Sequence, residues 1–518
     1  MPKTPSNKLF QLIKSLTGSE KRYFKLFVRN SSEKTNKYIQ LFEAIEAQSV
    51  FDDDFLRQTI YPNETIQSRK YSELKAYLYE LILKSLQGYD EKTSVEYKLQ
   101  NALQSIKVLY KRALFSDCKE LLGKARKLAD KYEQFNFSLR LLNWEKQIAY
   151  AETNIQYLDQ HLPRIEQAET DIQKKIENQT IYHNIFLKLL VSLRKDASLR
   201  APEQRDRLLS LLNHPELDQF DKALSHQAKI LYHRIYSLYY YSISDFQSFY
   251  NTGELLVEII ESKPHFLKES VRDYISTLSN LLVACILSQN YKQADFYLDK
   301  LKNIKPLTVD DVLKVHRQYY TVKFRLCINT GTFDEGLVAL DEHFKKLKQL
   351  SLDKKLFETD SFYFQYFYIY FGTGIYDQAL EYLNRWLNSP RSIERQDLQS
   401  LARILNLIIH YEMGNNLLLD SLLRSTYRFL NKRKSLFVIE SKIIGFIRDS
   451  NNFVNRKELR TALIKLKEEV VSLSQEQGEK AMLQLFDLEA WLDSKIQNRT
   501  FAEIVKQKYL EKQLNDRV

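Results

Sequence analysis

Glycine and proline are scarce in this chain: 11 Gly and 9 Pro in 518 residues, about 2% each against a usual ~7% and ~5%. Sheet-rich and loop-rich enzymes need glycine for tight turns and for backbone approach to cofactors, so few such places exist here. Cysteine is rarer still. Cys118, Cys285 and Cys327 lie far apart and form no CxxC pair, which argues against a disulfide framework and fits a reducing compartment. No uninterrupted apolar run approaches the ~18 residues that cross a bilayer. The opening MPKTPSNKLFQLIKSL has no apolar core of the kind a secretory signal carries. These absences predict a soluble, cytoplasmic, all-α protein without membrane contact.

The motifs of catalysis are missing as well. There is no GxxxxGK[ST], no GxGxxG and no GxSxG, so neither a phosphate-cradling loop nor a nucleophile elbow is expected. None of the nine histidines forms HExxH or another i, i+4 pair; His226 and His233 are about two turns apart, too far for a compact site on one helix. Carboxylate pairs are numerous, but on charged helices they read as solvated faces. The chain is read as non-enzymatic, with no cofactor, no metal and no small-molecule substrate.

What is present is charge, aromatics and helix formers. Charged residues make up 28% of the chain and its net charge is +11. That charge is uneven: residues 1–40 hold nine lysines and arginines against Glu20 and Glu33, a local +7. The excess therefore marks one region as a candidate partner surface rather than the whole protein.

Organisation follows from turn signals. Residues 1–92 show short periodic segments broken at Thr17-Gly18-Ser19, Asn30-Ser31-Ser32, Asp52-Asp53-Asp54 and Pro62-Asn63-Glu64, then a long helix from about Ser68 to Leu86 that stops near Gly88. This predicts a small basic helical N-terminal module. From residue 93 to 475 a different pattern recurs: an apolar helix, a short turn, a large residue, then a second helix. The large residue stands at 115, 155, 246, 291, 333, 376, 416 and 453, at intervals of 37 to 45 residues with one double gap of 91. An irregular unit fills that gap between 180 and 215, with Pro202 and Pro215. Residues 476–518 are read as C-terminal capping helices.

The stretch Leu278 to Pro306 resembles a tetratricopeptide repeat. Ala294 stands where that family places its small residue; Leu278, Leu281, Cys285, Tyr291, Leu298 and Leu301 occupy its large positions, and Pro306 ends the second helix. Leu282 departs from it, where Gly or Ala is preferred. Gly336 and Ala379 recur as the small residue. The opening SLTGSEKRYFKLF also resembles the start of a group of bacterial helical-repeat proteins, a likeness that implies no activity. The resemblance implies a right-handed α-solenoid of antiparallel helix pairs, here with about 40–45 residues per unit rather than the usual ~34. In that frame Cys118, Cys285 and Cys327 face the inter-helix core, where free cysteine behaves as a small apolar residue.

Two surfaces are candidates for function. In tetratricopeptide proteins one face of each first helix lines a concave groove. Carried over, that face is Arg234 and Tyr241, then Arg325, then Phe364, Tyr368 and Phe371 in the aromatic run SFYFQYFYIYF. Aromatics with arginines dominate binding hot spots, and arginine suits a peptide carboxylate; core packing is the plain alternative for each aromatic. The second surface is the helix EKRYFKLFVR, with Ser19 as N-cap. Its Lys21, Arg22, Lys25 and Arg29 could meet phosphates while Tyr23, Phe24 and Phe27 pack inward; a solvated face is the alternative there. The leading expectation is an interaction scaffold holding a protein or peptide in the groove. The rival is a nucleic-acid-associated regulator that uses the basic N-terminal helix, with the repeats as a sensing arm.

Overall fold

Among the described residues, nine inter-helix turns share one backbone device. Ala113, Glu133, Thr153, Ser244, Gln289, Gly331, Gly374, Gly414 and Asn498 all adopt positive φ between 50° and 78°. At each the next residue donates its N–H five residues back, as Leu114 does to Leu109, Asn290 to Cys285 and Ile375 to Tyr370. This left-handed cap satisfies carbonyls that a helix end would otherwise strand. Two residues after most of them the next helix opens on a large side chain, as at Phe115, Phe246, Tyr291, Phe333 and Tyr376. The turn-plus-aromatic signal is this cap.

In the computed structural model the described residues are 7–29, 36–61, 68–195, 210–349, 357, 359–388, 396–432, 438–450, 453, 455–473 and 485–515, and they contain no strand. The N-terminal helices are α1 (Lys8–Ser15), α2 (Gly18–Arg29), α3 (Asn36–Ala47), α4 (Asp53–Ile60) and α5 (Ser68–Thr93). They surround a core of their own built on Phe24, Leu41, Phe42, Tyr71, Leu78 and Ile82. Helix α2 starts two residues earlier than expected. Thr17, not Ser19, is its cap: the Thr17 hydroxyl accepts the Glu20 N–H, and the Glu20 carboxylate accepts the Thr17 N–H at 2.6 Å, a reciprocal capping box. Helix α5 does not stop at Gly88. It runs through it to Thr93, and a Cβ on Gly88 would lie 3.2 Å from the Tyr23 hydroxyl. The expected turns at 30–32 and 62–64 lie outside the described residues.

The chain divides into two compact units, 1–315 and 316–518. In the first, α6 (Val95–Tyr110), α7 (Phe115–Lys131), α8 (Phe135–Ala151) and α9 (Ile155–Lys195) each pack on the next, and α9 packs on α10 (His226–Ser242). Then follow α11 (Phe246–Ser262), a single turn α12 (Pro264–Leu267), α13 (Arg272–Leu287) and α14 (Tyr291–Lys302). The region read as irregular is helical over 180–195: α9 is one 41-residue helix, with Pro163 inside it. Pro215 opens a 3-10 turn, while Pro202 lies outside the described residues.

Helix α15 (Val309–Thr330) leads into α16 (Phe333–Gln349), α17 (Asp360–Gly372), α18 (Tyr376–Leu387), α19 (Gln396–Glu412), α20 (Asn416–Lys432), α21 (Val438–Asp449) and α22 (Arg456–Leu473). Helices α23 (Leu488–Gln497) and α24 (Phe501–Asn515) close the chain. From α16 onward neighbours in sequence are neighbours in space. The small-residue positions sit at close contacts: Ala294 and Ala379 are fully buried, and a Cβ on Gly336 would press on Ile369 at 3.1 Å. All three cysteines are buried and free. No described helix is long and apolar enough to cross a membrane.

Candidate functional site

The aromatic run on α17 lies inside the second unit. Tyr368 and Phe371 are buried, and Phe364 is half-buried against Trp386 with ring centroids 5.0 Å apart. What covers them is the chain's own C-terminus. Phe486 and Phe501 stand 5.3 and 5.4 Å from the Phe371 ring, and Phe486 stands 5.2 Å from Tyr368. The Tyr368 hydroxyl accepts the Asp487 N–H, and burial, followed by the nearby Asp487 charge, pushes its phenol well above the usual range. Asp487 in turn caps α23 at Ala490 and pairs with Lys508 at 2.8 Å. A second anchor lies two helices on. Buried Glu412 at the end of α19 accepts the Trp491 indole N–H at 2.6 Å, the Tyr376 hydroxyl at 3.2 Å and the Lys495 ammonium.

The expected groove face is therefore not open at these residues. Phe486, Leu488, Trp491, Leu492, Phe501, Ile504 and Val505 are all buried in the same core as α17 and α19. At about 2 kcal/mol per large side chain, that burial makes the C-terminal pair part of the core rather than a removable cap. Arg325 is exposed in this second unit. Arg234 and Tyr241 belong to the first unit: Arg234 pairs with Asp273 at 3.1 Å, and Tyr241 is exposed beside Phe249. The six residues are thus divided between the two units, Arg234 and Tyr241 in the first and Arg325, Phe364, Tyr368 and Phe371 in the second.

The basic helix α2 fares similarly. Lys21 and Lys25 reach Glu46 of α3, both at 3.2 Å, and Lys25 also reaches Glu43 at 3.3 Å. Burial raises the Glu46 carboxyl, but hydrogen bonds from Lys25 and Lys21 outweigh it and hold the pKa below the ordinary value. Two of the four expected phosphate-binding cations are thus spent on carboxylates within the module. Arg22 is exposed, and the side chain of Arg29 lies outside the described residues. An open cleft of about 930 Å³ lies elsewhere in this module, rimmed by Asp52, Asp53 and Asp54. Two of these acids are engaged: Asp52 caps the Phe55 N–H, and Asp53 holds Lys75 and the Tyr71 hydroxyl.

No family model, curated protein or solved structure matches this chain. The assignment of a site rests on its own geometry.

That geometry favours a cleft of about 560 Å³ in the first unit, where the beginnings of α6, α8 and α10 meet the middle of α9. Four amide side chains, Gln134, Asn136, Gln179 and Gln227, line it beside Phe135, Phe137, Ile176 and Leu231. Among the described residues none of the four amides has a hydrogen-bond partner. Glu133 shapes the rim. Its left-handed backbone turns α7 into α8, and its carboxylate accepts the His226 N–H at 2.8 Å and Lys263 at 2.6 Å. The sequence reading missed this cleft because its residues come from four separated segments, and Gln and Asn on a helix look like ordinary solvated positions.

A buried polar chain lies in the second unit: His316 Nε2 to His343 Nδ1 at 3.0 Å, and His343 Nε2 to the Tyr366 hydroxyl at 2.6 Å. Burial lowers the imidazole pKa of His316 to about 4 and of His343 to about 3, with a smaller contribution from Lys346 to the first and from His316 to the second. Phe357 and Phe362 close the box around them. Both imidazoles are buried in the second unit, where they bear on its stability.

Proposed function

We propose that this chain is a non-enzymatic interaction scaffold, a tetratricopeptide-like solenoid of helix pairs that holds a protein or peptide segment. The segment binds in the first-unit cleft between α6, α8, α9 and α10. One observation carries the reading: four amide side chains line a concave site beside two phenylalanines. Asparagine and glutamine each offer a donor and an acceptor, the pair of functions a peptide bond presents. The aromatic rings supply burial area at low entropic cost. The recurring left-handed turn and the small residues at helix contacts support the solenoid architecture. The setting is cytoplasmic.

Capture from the native lysate tests it, with nuclease present and with Gln179→Trp as the comparison. The substitution fills the cleft from the exposed side of α9 and leaves the helix cores intact. A protein retained by the wild type and lost by a folded Gln179→Trp variant supports the cleft. A protein retained equally by both places binding elsewhere.

A further inference from the structure

One short segment ties together parts of the first unit that lie far apart in sequence. Residues 263–269, which hold the single turn α12, reach three other helices. Glu269 accepts the Val95 N–H at the start of α6, at 2.9 Å. His265 Nε2 donates to the Lys131 carbonyl at the end of α7, at 3.0 Å, and Lys263 pairs with Glu133 at 2.6 Å. The Phe266 ring lies nearly parallel to the imidazole of His226, the first residue of α10, with centroids 5.0 Å apart. Tyr132 stands edge-on to both His265 and Phe266.

These holds are many and shallow. None of residues 263–269 is buried, and Leu267 only leans on the apolar cluster of Ile230, Leu256 and Ile260. A segment with few buried apolar contacts opens at a lower free energy than the helices it bridges. What it covers is different: His226 is 6% exposed. Lys263 and His265 face this imidazole from the segment, Lys229 from α10, and Glu133 from the α7–α8 turn. Glu133 is already engaged by Lys263 and by the His226 N–H. Burial, and after it the Lys263 charge, holds the His226 pKa below its ordinary value. Once uncovered, the imidazole is hydrated and regains that value, so protons bind the open form first and acid favours it.

We propose that residues 263–269 are a strap that opens as one piece, and that protonation of His226 releases it. Val95, Glu133 and His226, which the closed strap holds, are followed in sequence by Glu96, Gln134 and Gln227 of the amide cleft. Opening therefore loosens the helix beginnings that shape the rim of that cleft. The proposal stands whether or not the cleft takes a peptide.

Hydrogen–deuterium exchange of the full-length protein at pH 7.5 and 5.5, corrected for intrinsic rates, tests it. Peptides covering Val95, His226 and residues 266–270 are expected to exchange at rates that rise together, about tenfold from the higher pH to the lower, as one proton on an ordinary imidazole dictates. Most carboxylates titrate below this window. His226→Phe keeps the ring stack and removes the proton, so the rise is expected to stay below about twofold. Where circular dichroism shows that His226→Phe has not folded, His226→Gln takes its place with the same expectation. Glu269→Ala, whose lost carboxylate bonds to Val95, is expected to speed exchange at His226 too, at both pH values. Peptides from α15 to α17 carry the response of the His316–His343 pair separately. Rates that rise at Val95 but not within the strap, an acid response that survives loss of the His226 imidazole, or no response in the wild type overturns the proposal.

Discussion

The hydroxyl of Tyr368 accepts the backbone N–H of Asp487 at 3.0 Å, across 119 residues of sequence. It joins the middle of α17 to the start of α23. A residue that sequence pattern places on a binding face is here the seat of the chain's own C-terminal helices.

Tyr368→Ala is therefore expected to act on stability. Losing a fully enclosed aromatic costs about 3–5 kcal/mol, and Tyr368→Phe, which strands only the Asp487 N–H, about 1–2 kcal/mol. Urea unfolding read at two wavelengths gives both values. An unchanged midpoint for Tyr368→Ala would mean that the C-terminal pair does not seat on α17.

Glu412 gathers the indole of Trp491, the phenol of Tyr376 and the ammonium of Lys495 on one side chain. Removing the acceptor leaves the buried Trp491 N–H without a partner, so Glu412→Ala is expected to cost about 3 kcal/mol. Glu412→Gln keeps an acceptor oxygen and is expected to cost less than half as much. Equal losses for the two would show that packing, not hydrogen bonding, dominates there.

The histidine pair makes the second unit acid-sensitive. Both folded-state pKa values, about 4 and about 3, lie below the ordinary 6.5. The unfolded chain binds protons first as pH falls, so stability is full above about 6.5 and declines below it. The slope is about 1.4 kcal/mol per pH unit for each histidine until its folded pKa is reached. Unfolding midpoints of the wild type and of His343→Phe between pH 7 and 4 read this directly. The variant is expected to start from a lower midpoint and to show a shallower slope; parallel slopes would place the acid sensitivity elsewhere.

Ser244 and Gln289 hold left-handed backbone at φ 61° without being glycine. An L side chain pays about 1 kcal/mol there, so Ser244→Gly and Gln289→Gly are each expected to stabilise by about that amount. Gly374→Ala is expected to lose as much, since φ is 78° and no atom crowds the added methyl. Thermal melts of the three variants settle the sign.

The acids opposite α2 predict weak affinity for polyanions. Glu46→Gln with Glu43→Gln frees Lys21 and Lys25 from their carboxylate partners and is expected to raise retention on heparin, with a steeper dependence on salt. If the wild type already binds duplex DNA strongly, and Lys21→Glu with Lys25→Glu abolishes it, the nucleic-acid reading regains first place.

Much of the helix order was legible in the chain, because a large residue two places after a left-handed cap is a local signal. Phe333, Tyr376 and Tyr291 all announce the helix they open. The turn at Glu133 was not legible, since glutamate carries no preference for positive φ. The fate of Tyr368 was not legible either. Aromatics on every side of α17 define no single face, and 3.6-residue periodicity identifies a buried side without naming what buries it. Phe486 and Phe501 stand more than a hundred residues downstream. The amide cleft was hidden for a related reason: its four segments become neighbours only once α9 has passed between them.

The C-terminal seat also has a consequence during synthesis. Helices that pack on their sequence neighbours can form as they leave the ribosome, because each contact closes only a short loop. The face around Tyr368 and Phe371 cannot. It waits, apolar and solvated, until residues 486–505 have been translated, and slower decoding of that stretch prolongs the wait. Stalled or truncated products ending before residue 486 would therefore be the species most in need of a chaperone.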